Sequence, residues 1–222
     1  MLYNYSIMKI LDAILNILLP LRCLFCGKQG AVCRKCISEC RPAERENLEW
    51  IFSVYDYRDA KIKKIVWFLK YKHCKVLAET IALSIYSIML PTLSDLYLIE
   101  NFREPYIIPI PLSRKRLRER GYNQTEIIVR ELMKLDKNTN FKPIYNALVK
   151  TRETEHQARI KNKTERMRNL VDTFTITNQE LVKGKNIILI DDVTTTGATL
   201  AEAKKTLKKH GARKVIAFTF AH

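Results

Sequence analysis

The sequence predicts an α/β fold: a mainly parallel sheet with helices on both faces, preceded by a small cysteine-bearing segment. Three observations predict it. Short apolar runs at 106–112, 186–190 and 215–220 alternate with stretches whose apolar residues recur at helical spacing. Ile187–Ile190 is apolar at every position, as a parallel strand buried on both faces requires. With 222 residues, 47% of them apolar, the chain can build one substantial core plus an appendage, which excludes a disordered protein.

The first segment, 1–21, ends in the apolar stretch 10–21, interrupted by Asp12 and Asn16. It falls short of the ~20 residues of a membrane span, and it has neither the basic start nor the small-residue cleavage site of a signal peptide. Ile10, Ile14 and Leu18 share one side of an amphipathic helix, expected to dock on the protein; an interfacial membrane contact is the alternative. The expected location is cytoplasmic, where thiols stay reduced.

Segment 22–49 holds two Cys-x₂-Cys pairs, Cys23/Cys26 and Cys33/Cys36, six residues apart. Two such hooks can set four thiolates around a structural Zn²⁺. Gly27 and Gly30 supply the turns of a compact knuckle, and Cys40 is a candidate substitute ligand. Free thiols or disulfides are the alternatives, weaker in the cytoplasm. Cys74 reads as a small apolar residue. The polar stretch 41–49 reads as a hinge.

The main domain, 50–222, starts with a strand over 53–57 and a helix presenting Ile62, Ile65, Val66 and Leu69. A helix over 76–89 follows, expected to stop at Pro91. After the strand 106–112, Asn123 to Glu126 form a capping box for a helix bearing Ile128, Leu132 and Leu135. Residues 148–169 are polar and suggest a loop or flap. The strand 186–190 and a helix with Leu200, Ala203 and Leu207, ended by Gly211, precede the final strand 215–220.

The formal charge is +16, from 39 basic and 23 acidic residues. That balance suits a polyanionic partner, nucleic acid or a phosphorylated metabolite, and equally a solvated basic surface. The histidines, His73, His156, His210 and His222, lack the spacing of a ligand pair.

Chemistry concentrates at 187–199. Asp191 and Asp192 emerge at the carboxyl edge of a buried strand, where open α/β sheets place ligands. They point in opposite directions on an extended chain, and can accept hydrogen bonds from vicinal ribose hydroxyls or contact hydrated Mg²⁺. Thr194, Thr195, Thr196, Gly197, Ala198 and Thr199 offer successive N–H groups, hydroxyls and the start of a helix to a phosphate. Gly197 removes a Cβ where the backbone must approach phosphate oxygens. A strand–turn–helix corner with Asp and Thr as mere caps is the bland alternative, and it leaves the second acid and the other threonines unexplained.

A second cluster, Leu112, Ser113, Arg114, Lys115 and Arg116, continues through Arg118 and Arg120 just after a strand. Arginines there can bind a pyrophosphate bidentately; a nucleic-acid patch or a solvated basic face are the alternatives. The polar segment beyond Leu148 could close over a charged sugar and exclude water.

Ile187–Thr199 resembles the sugar-phosphate motif of the type I phosphoribosyltransferases. The resemblance implies that Asp191 and Asp192 bind the ribose 2- and 3-hydroxyls and that Thr195–Thr199 hold the 5-phosphate of phosphoribosyl pyrophosphate. It also implies that Mg²⁺ arrives largely on the substrate. No Gly-Lys-Ser/Thr of a Walker loop is present. Leu69-Lys-Tyr71, the turn Pro109–Leu112 followed by Arg120-Gly-Tyr-Asn-Gln124, and the flap residues Arg152, Thr154, Gln157, Arg166 and Asn169 narrow the resemblance. They are similar to the ComF family of competence-associated proteins, and with the cysteines they cover nearly the whole chain. That family implies a part in DNA uptake.

Two readings of function follow. In one, the chain is a phosphoribosyltransferase (or hydrolase) of unreadable acceptor: the acids orient the ribose, and Ser113–Arg116 with Mg²⁺ stabilise the departing pyrophosphate. In the other, it is a non-catalytic single-stranded-DNA-binding competence factor that uses the sugar-phosphate site as a sensor. Trp50, Tyr55, Tyr57, Trp67 and Tyr71 are its candidate stacking residues, unless they are core. A regulator responsive to phosphoribosyl pyrophosphate is disfavoured, because no helix-turn-helix segment is evident.

Overall fold

Five short strands, each parallel to its neighbours, carry the main unit in a computed structural model that describes residues 21–44, 48–138, 140–151 and 173–222. The N-terminal amphipathic helix and the flap residues Arg152, Thr154, Gln157, Arg166 and Asn169 lie outside these residues. Two compact units are distinguished, one ending at Cys40 and one running Arg41–His222.

In the first unit, Gly27 (φ 70°) and Gly30 (φ 98°) take left-handed turns that no side-chain-bearing residue adopts cheaply. The amide of Cys23 donates to the Lys28 carbonyl at 2.7 Å, closing the first Cys-x₂-Cys loop. The short helix α1 (Arg34–Ser38) carries the second.

In the second unit, the sheet order is β1 (Ile51–Tyr55), β7 (Lys214–Ala221), β6 (Asn186–Val193), β2 (Tyr106–Pro109) and β3 (Lys142–Pro143). The outer edge of β1 is partly covered: the Ala43 amide donates to Val54 and the Asp56 amide to Arg41, so the first residues of the expected hinge run along this strand. A separate antiparallel pair joins β4 (Leu148–Lys150) to β5 (Phe174–Ile176). The sequence had suggested only a polar loop there.

Burial explains β6. Ile187 and Leu189 pack in one cluster with Leu200, Ala203 and Leu207 of α6 (Ala198–Lys209). Ile188 and Ile190 point to the opposite face, where α3 (Leu77–Glu100) and α5 (Gln124–Leu135) pack. All four β6 residues are fully buried, each worth roughly 1.5–3 kcal/mol. The helix α2 (Ala60–Tyr71) buries Ile62, Ile65, Val66 and Leu69, and Asp59 caps it by accepting from the amides of Lys61 and Ile62.

Pro91 does not stop α3, which runs on to Glu100. A proline removes one amide donor from a helix, and here hydroxyls line the affected turns: Thr92 Oγ1 donates to Ile88 and Ser94 Oγ to Leu90. The helix ends where a true cap occurs. Asn101 turns left-handed (φ 52°), and its amide and that of Phe102 both donate to the Leu96 carbonyl. By length and composition α3 could cross a membrane, with a mean hydropathy of 1.4 over its most apolar window. Its first half instead buries Leu77, Ala78, Ile81, Ala82, Ile85 and Met89 as a core helix does.

Candidate functional site

The carboxyl ends of β6 and β2 open into a cleft of about 310 Å³. β6 extends through Val193, so Asp191 and Asp192 belong to the strand itself and take opposite faces. Both are buried. The Asp192 amide donates to Asp191 Oδ1 at 2.8 Å, and the Val193 amide donates to Asp192 Oδ1 at 2.8 Å. Asp192 Oδ2 forms an ion pair of 2.8 Å with Lys70 Nζ from α2. Burial first, and the Asp192 carboxylate next, push the Asp191 carboxyl up to about 8, against a smaller pull from Lys70.

Thr194–Thr199 form one wall. The Thr194 amide is tied to the Ala221 carbonyl at 3.0 Å, which fixes where the loop leaves β6. The amides of Thr195, Thr196 and Gly197 have no acceptor among the described residues, so they are open to an anion. Gly197 caps α6 in the left-handed region (φ 70°). A Cβ there would lie 2.7 Å from Leu48 Cδ1 and 3.3 Å from Ile51 Cδ1. The missing side chain therefore makes room for an apolar wall.

The basic stretch is a helix, α4 (Arg114–Arg120), and not a turn. Ser113 caps it by accepting from the Arg116 amide at 3.4 Å. Helical periodicity then selects among the cations: Arg116 and Arg120, four residues apart, line the cleft with Leu112 and Ser113. Arg114 and Lys115 do not line it.

The Arg120–Gln124 segment works as a latch. Arg120 donates to Gln124 Oε1, and the Tyr122 hydroxyl donates to the Leu69 carbonyl at the end of α2. Asn123 Nδ2 and Thr125 Oγ1 both donate to the Ile110 carbonyl, at 3.2 and 2.6 Å, holding the exit of β2.

Sequence reading assigned no ligand contact to three polar residues that line the cleft, Lys70, Lys150 and Gln124, and had Arg120 only as part of the wider basic run. Lys70 carried a signal, since it continues the Ile62–Val66 row at i+4 spacing, where an apolar residue would be expected. Lys150, on β4, has its ammonium lowered to about 8 by burial and then by Arg116, with Asp191 opposing. The cleft thus sets two acids among Lys70, Arg116, Arg120 and Lys150, a charge distribution suited to a ligand with both hydroxyls and phosphates.

In the first unit, the Sγ atoms of Cys23, Cys26, Cys33 and Cys36 lie within 4.8 Å of one another. A tetrahedral Zn(Cys)₄ site, with Zn–S of about 2.3 Å, has sulfur–sulfur edges of about 3.8 Å, so the four could hold zinc with small adjustments. Cys40 lies outside this group of four and donates to the Cys36 carbonyl at 3.4 Å.

Residues 124–222 match the phosphoribosyl transferase domain family. Competence protein ComFC of Bacillus subtilis is 33% identical over 202 residues, covering 89% of this chain and 76% of its own. Competence protein ComFC of Streptococcus pneumoniae is 34% identical over 121 residues, 54% of this chain and 50% of its own. DNA utilization protein YhgH of Escherichia coli K12 is 33% identical over 110 residues, 49% of this chain and 45% of its own. The chain spans about half the length of these last two relatives. Among solved structures, hypoxanthine phosphoribosyltransferase from Trypanosoma cruzi superposes with a TM-score of 0.37 at 11% identity, over 64% of this chain and 67% of that one.

Proposed function

Since the chain belongs to the ComF family of competence-associated, phosphoribosyltransferase-like proteins, we propose that it is a cytoplasmic DNA-uptake protein whose cleft binds phosphoribosyl pyrophosphate. The observation that carries this reading is the meeting of two buried acids, three open loop amides and four cations in one cleft. Asp191 and Asp192 accept hydrogen bonds from the ribose 2- and 3-hydroxyls. Thr194–Thr199 hold the 5-phosphate on amides and hydroxyls at the start of α6. Leu112, Ser113 and Arg116 seat the pyrophosphate, joined by Lys150.

Mg²⁺ enters on the substrate, and its charge answers the two adjacent acids. Ribose hydroxyls or a cation would supply the stabilisation that burial denies the ionised Asp191. If the acceptor reaction occurs, the same cations stabilise the pyrophosphate as it departs, and the protein is a glycosyltransferase. One structural Zn²⁺ on Cys23, Cys26, Cys33 and Cys36 closes the knuckle.

The exposure of Trp67 and Tyr71 beside Lys72 and Arg120 favours a second reading, a non-catalytic factor that binds single-stranded DNA. A paired assay decides. Binding and turnover of phosphoribosyl pyrophosphate, and binding of single-stranded DNA, are measured for the wild type and for Asp191→Ala/Asp192→Ala. The double variant is expected to lose sugar-phosphate affinity by at least about tenfold, roughly one charge-assisted hydrogen bond. Unchanged affinity would sink the site assignment. DNA binding without turnover on any acceptor would select the second reading.

A further inference from the structure

We infer that the mouth of the cleft carries a second subsite, built on the C-terminal half of α2, that takes an aromatic base bearing a phosphate. Its ligand is a nucleotide, free or at the end of a polynucleotide. The subsite exists whether or not the neighbouring site takes phosphoribosyl pyrophosphate; only its use as the acceptor's seat rests on that reading.

Two large aromatics form its floor. Trp67 and Tyr71 lie one turn apart on α2, with ring centroids 6.3 Å from each other. Both line the cleft, yet 46% and 52% of their surfaces remain exposed. The buried stripe of α2 is Ile62, Ile65, Val66 and Leu69, so the core does not account for them. Each ring already has a cation against it: Lys72 Nζ is 5.1 Å from the Trp67 centroid, and the Arg120 guanidinium is 5.4 Å from that of Tyr71. Aromatic faces flanked by cations are what a base with an adjacent anion recognises.

The anion has its own place. A smaller pocket of about 160 Å³ adjoins Tyr71 and is lined by Lys70, Tyr71, His73, Arg116, Glu119 and Arg120. Lys70, Tyr71, Arg116 and Arg120 belong to both cavities, so a ligand on the rings can reach the pocket without leaving the cleft. Arg116 and Arg120, beside a Lys70 already paired with Asp192, outnumber Glu119 and favour a phosphate over a neutral group.

The turn that builds the pocket is held in place. His73 sits in the left-handed region (φ 52°), unusual for a residue with a side chain, and its ring packs on Tyr122 at 5.7 Å. The Tyr122 hydroxyl in turn fastens the Leu69 carbonyl.

The chain has two tryptophans, Trp50 and Trp67, so Trp50→Phe leaves Trp67 as the one indole reporter. The full-length variant is titrated with adenosine monophosphate, adenosine, ribose 5-phosphate and a short oligodeoxyadenylate. Adenosine monophosphate is expected to quench saturably. Adenosine should bind at least about tenfold more weakly, the loss of one charge-assisted contact. Tyr71→Ala in the same background should weaken adenosine monophosphate about 5- to 150-fold, the worth of one base–aromatic stack, and Tyr71→Phe should restore it.

Quenching by the oligonucleotide alone identifies a polynucleotide end as the source; quenching by the mononucleotide identifies a free nucleotide. Binding of neither overturns the proposal. So does equal quenching by ribose 5-phosphate, or a Tyr71→Ala protein that folds and binds unchanged. Asp191→Ala, which leaves the Asp192–Lys70 pair in place, separates the two sites: it should keep the nucleotide signal while weakening phosphoribosyl pyrophosphate. If wild type itself ignores phosphoribosyl pyrophosphate but binds the nucleotide, the donor reading fails and the subsite stands.

Discussion

Gly197→Ala perturbs the Thr194–Thr199 loop in two separable ways. The first is backbone: at φ 70° an alanine incurs the left-handed penalty, roughly 1–2 kcal/mol, less roughly 0.4–1 kcal/mol recovered from the narrower unfolded ensemble. The second is packing. The new methyl would sit 2.7 Å from Leu48 Cδ1, a flexible side-chain end that must move. Leu48 is 37% exposed, so about two thirds of its surface is at stake. Full burial of a leucine is worth roughly 1.5–3 kcal/mol, and displacing it part-way costs about 1 kcal/mol.

Gly184 provides the control. It has nearly the same φ, 71°, and a methyl at its Cβ position would meet nothing within 4 Å. Its alanine variant should therefore lose only the backbone part, about 1 kcal/mol net, and Gly197→Ala about 2 kcal/mol. Thermal unfolding would place the midpoints roughly 2–4 °C and 4–8 °C below wild type for a domain of this size. Equal losses would refute the apolar-wall account of Gly197. No loss at either position would refute the left-handed account as well.

Asp191→Asn should stabilise the ligand-free protein increasingly between pH 5 and 8. The folded carboxyl is pushed up from 3.8 to about 8, by burial before all else. The wild type therefore keeps its full stability from this group only below about pH 4, and loses it as pH rises towards 8; asparagine does not titrate. A pH-independent difference in melting temperature would contradict this. Lys70→Met strands a buried Asp192. Removing one partner of a buried pair costs about 3–5 kcal/mol, reduced to about 1–3 kcal/mol by partial access of Lys70 to water. Urea unfolding should show Lys70→Met/Asp192→Asn recovering part of that loss; strict additivity would deny the pair. Elemental analysis should find one zinc per chain, lost in Cys23→Ser or Cys36→Ser and kept in Cys40→Ser, whose sulfur faces a carbonyl. Loss of metal on changing Cys40 would overturn that assignment.

Local pattern made much of the fold and candidate site legible. A run such as Ile187–Ile190 has only one comfortable environment, a strand covered on both faces, and it delivers Asp191 and Asp192 to the sheet edge whatever surrounds it. The same holds for Asn123 as a helix cap and for paired cysteines six residues apart, because capping and chelation operate within a few residues. Other features depended on distant partners. Pro91 looked like a helix stop because its effect on the chain is local, whereas the end of α3 is set by the Asn101–Phe102 cap on Leu96. The run of cations after β2 became selective only on winding into α4, which turned Arg116 and Arg120 towards the cleft and left Arg114 and Lys115 out of its lining. Lys70 and Lys150 are 80 residues apart in the chain; only packing of α2 and β4 around the end of β6 brings them to the acids. Residue identity and short spacing determined which chemistry the chain carries. Tertiary structure decided which charges share one cleft, because burial and Coulomb interactions act across space and not along the sequence.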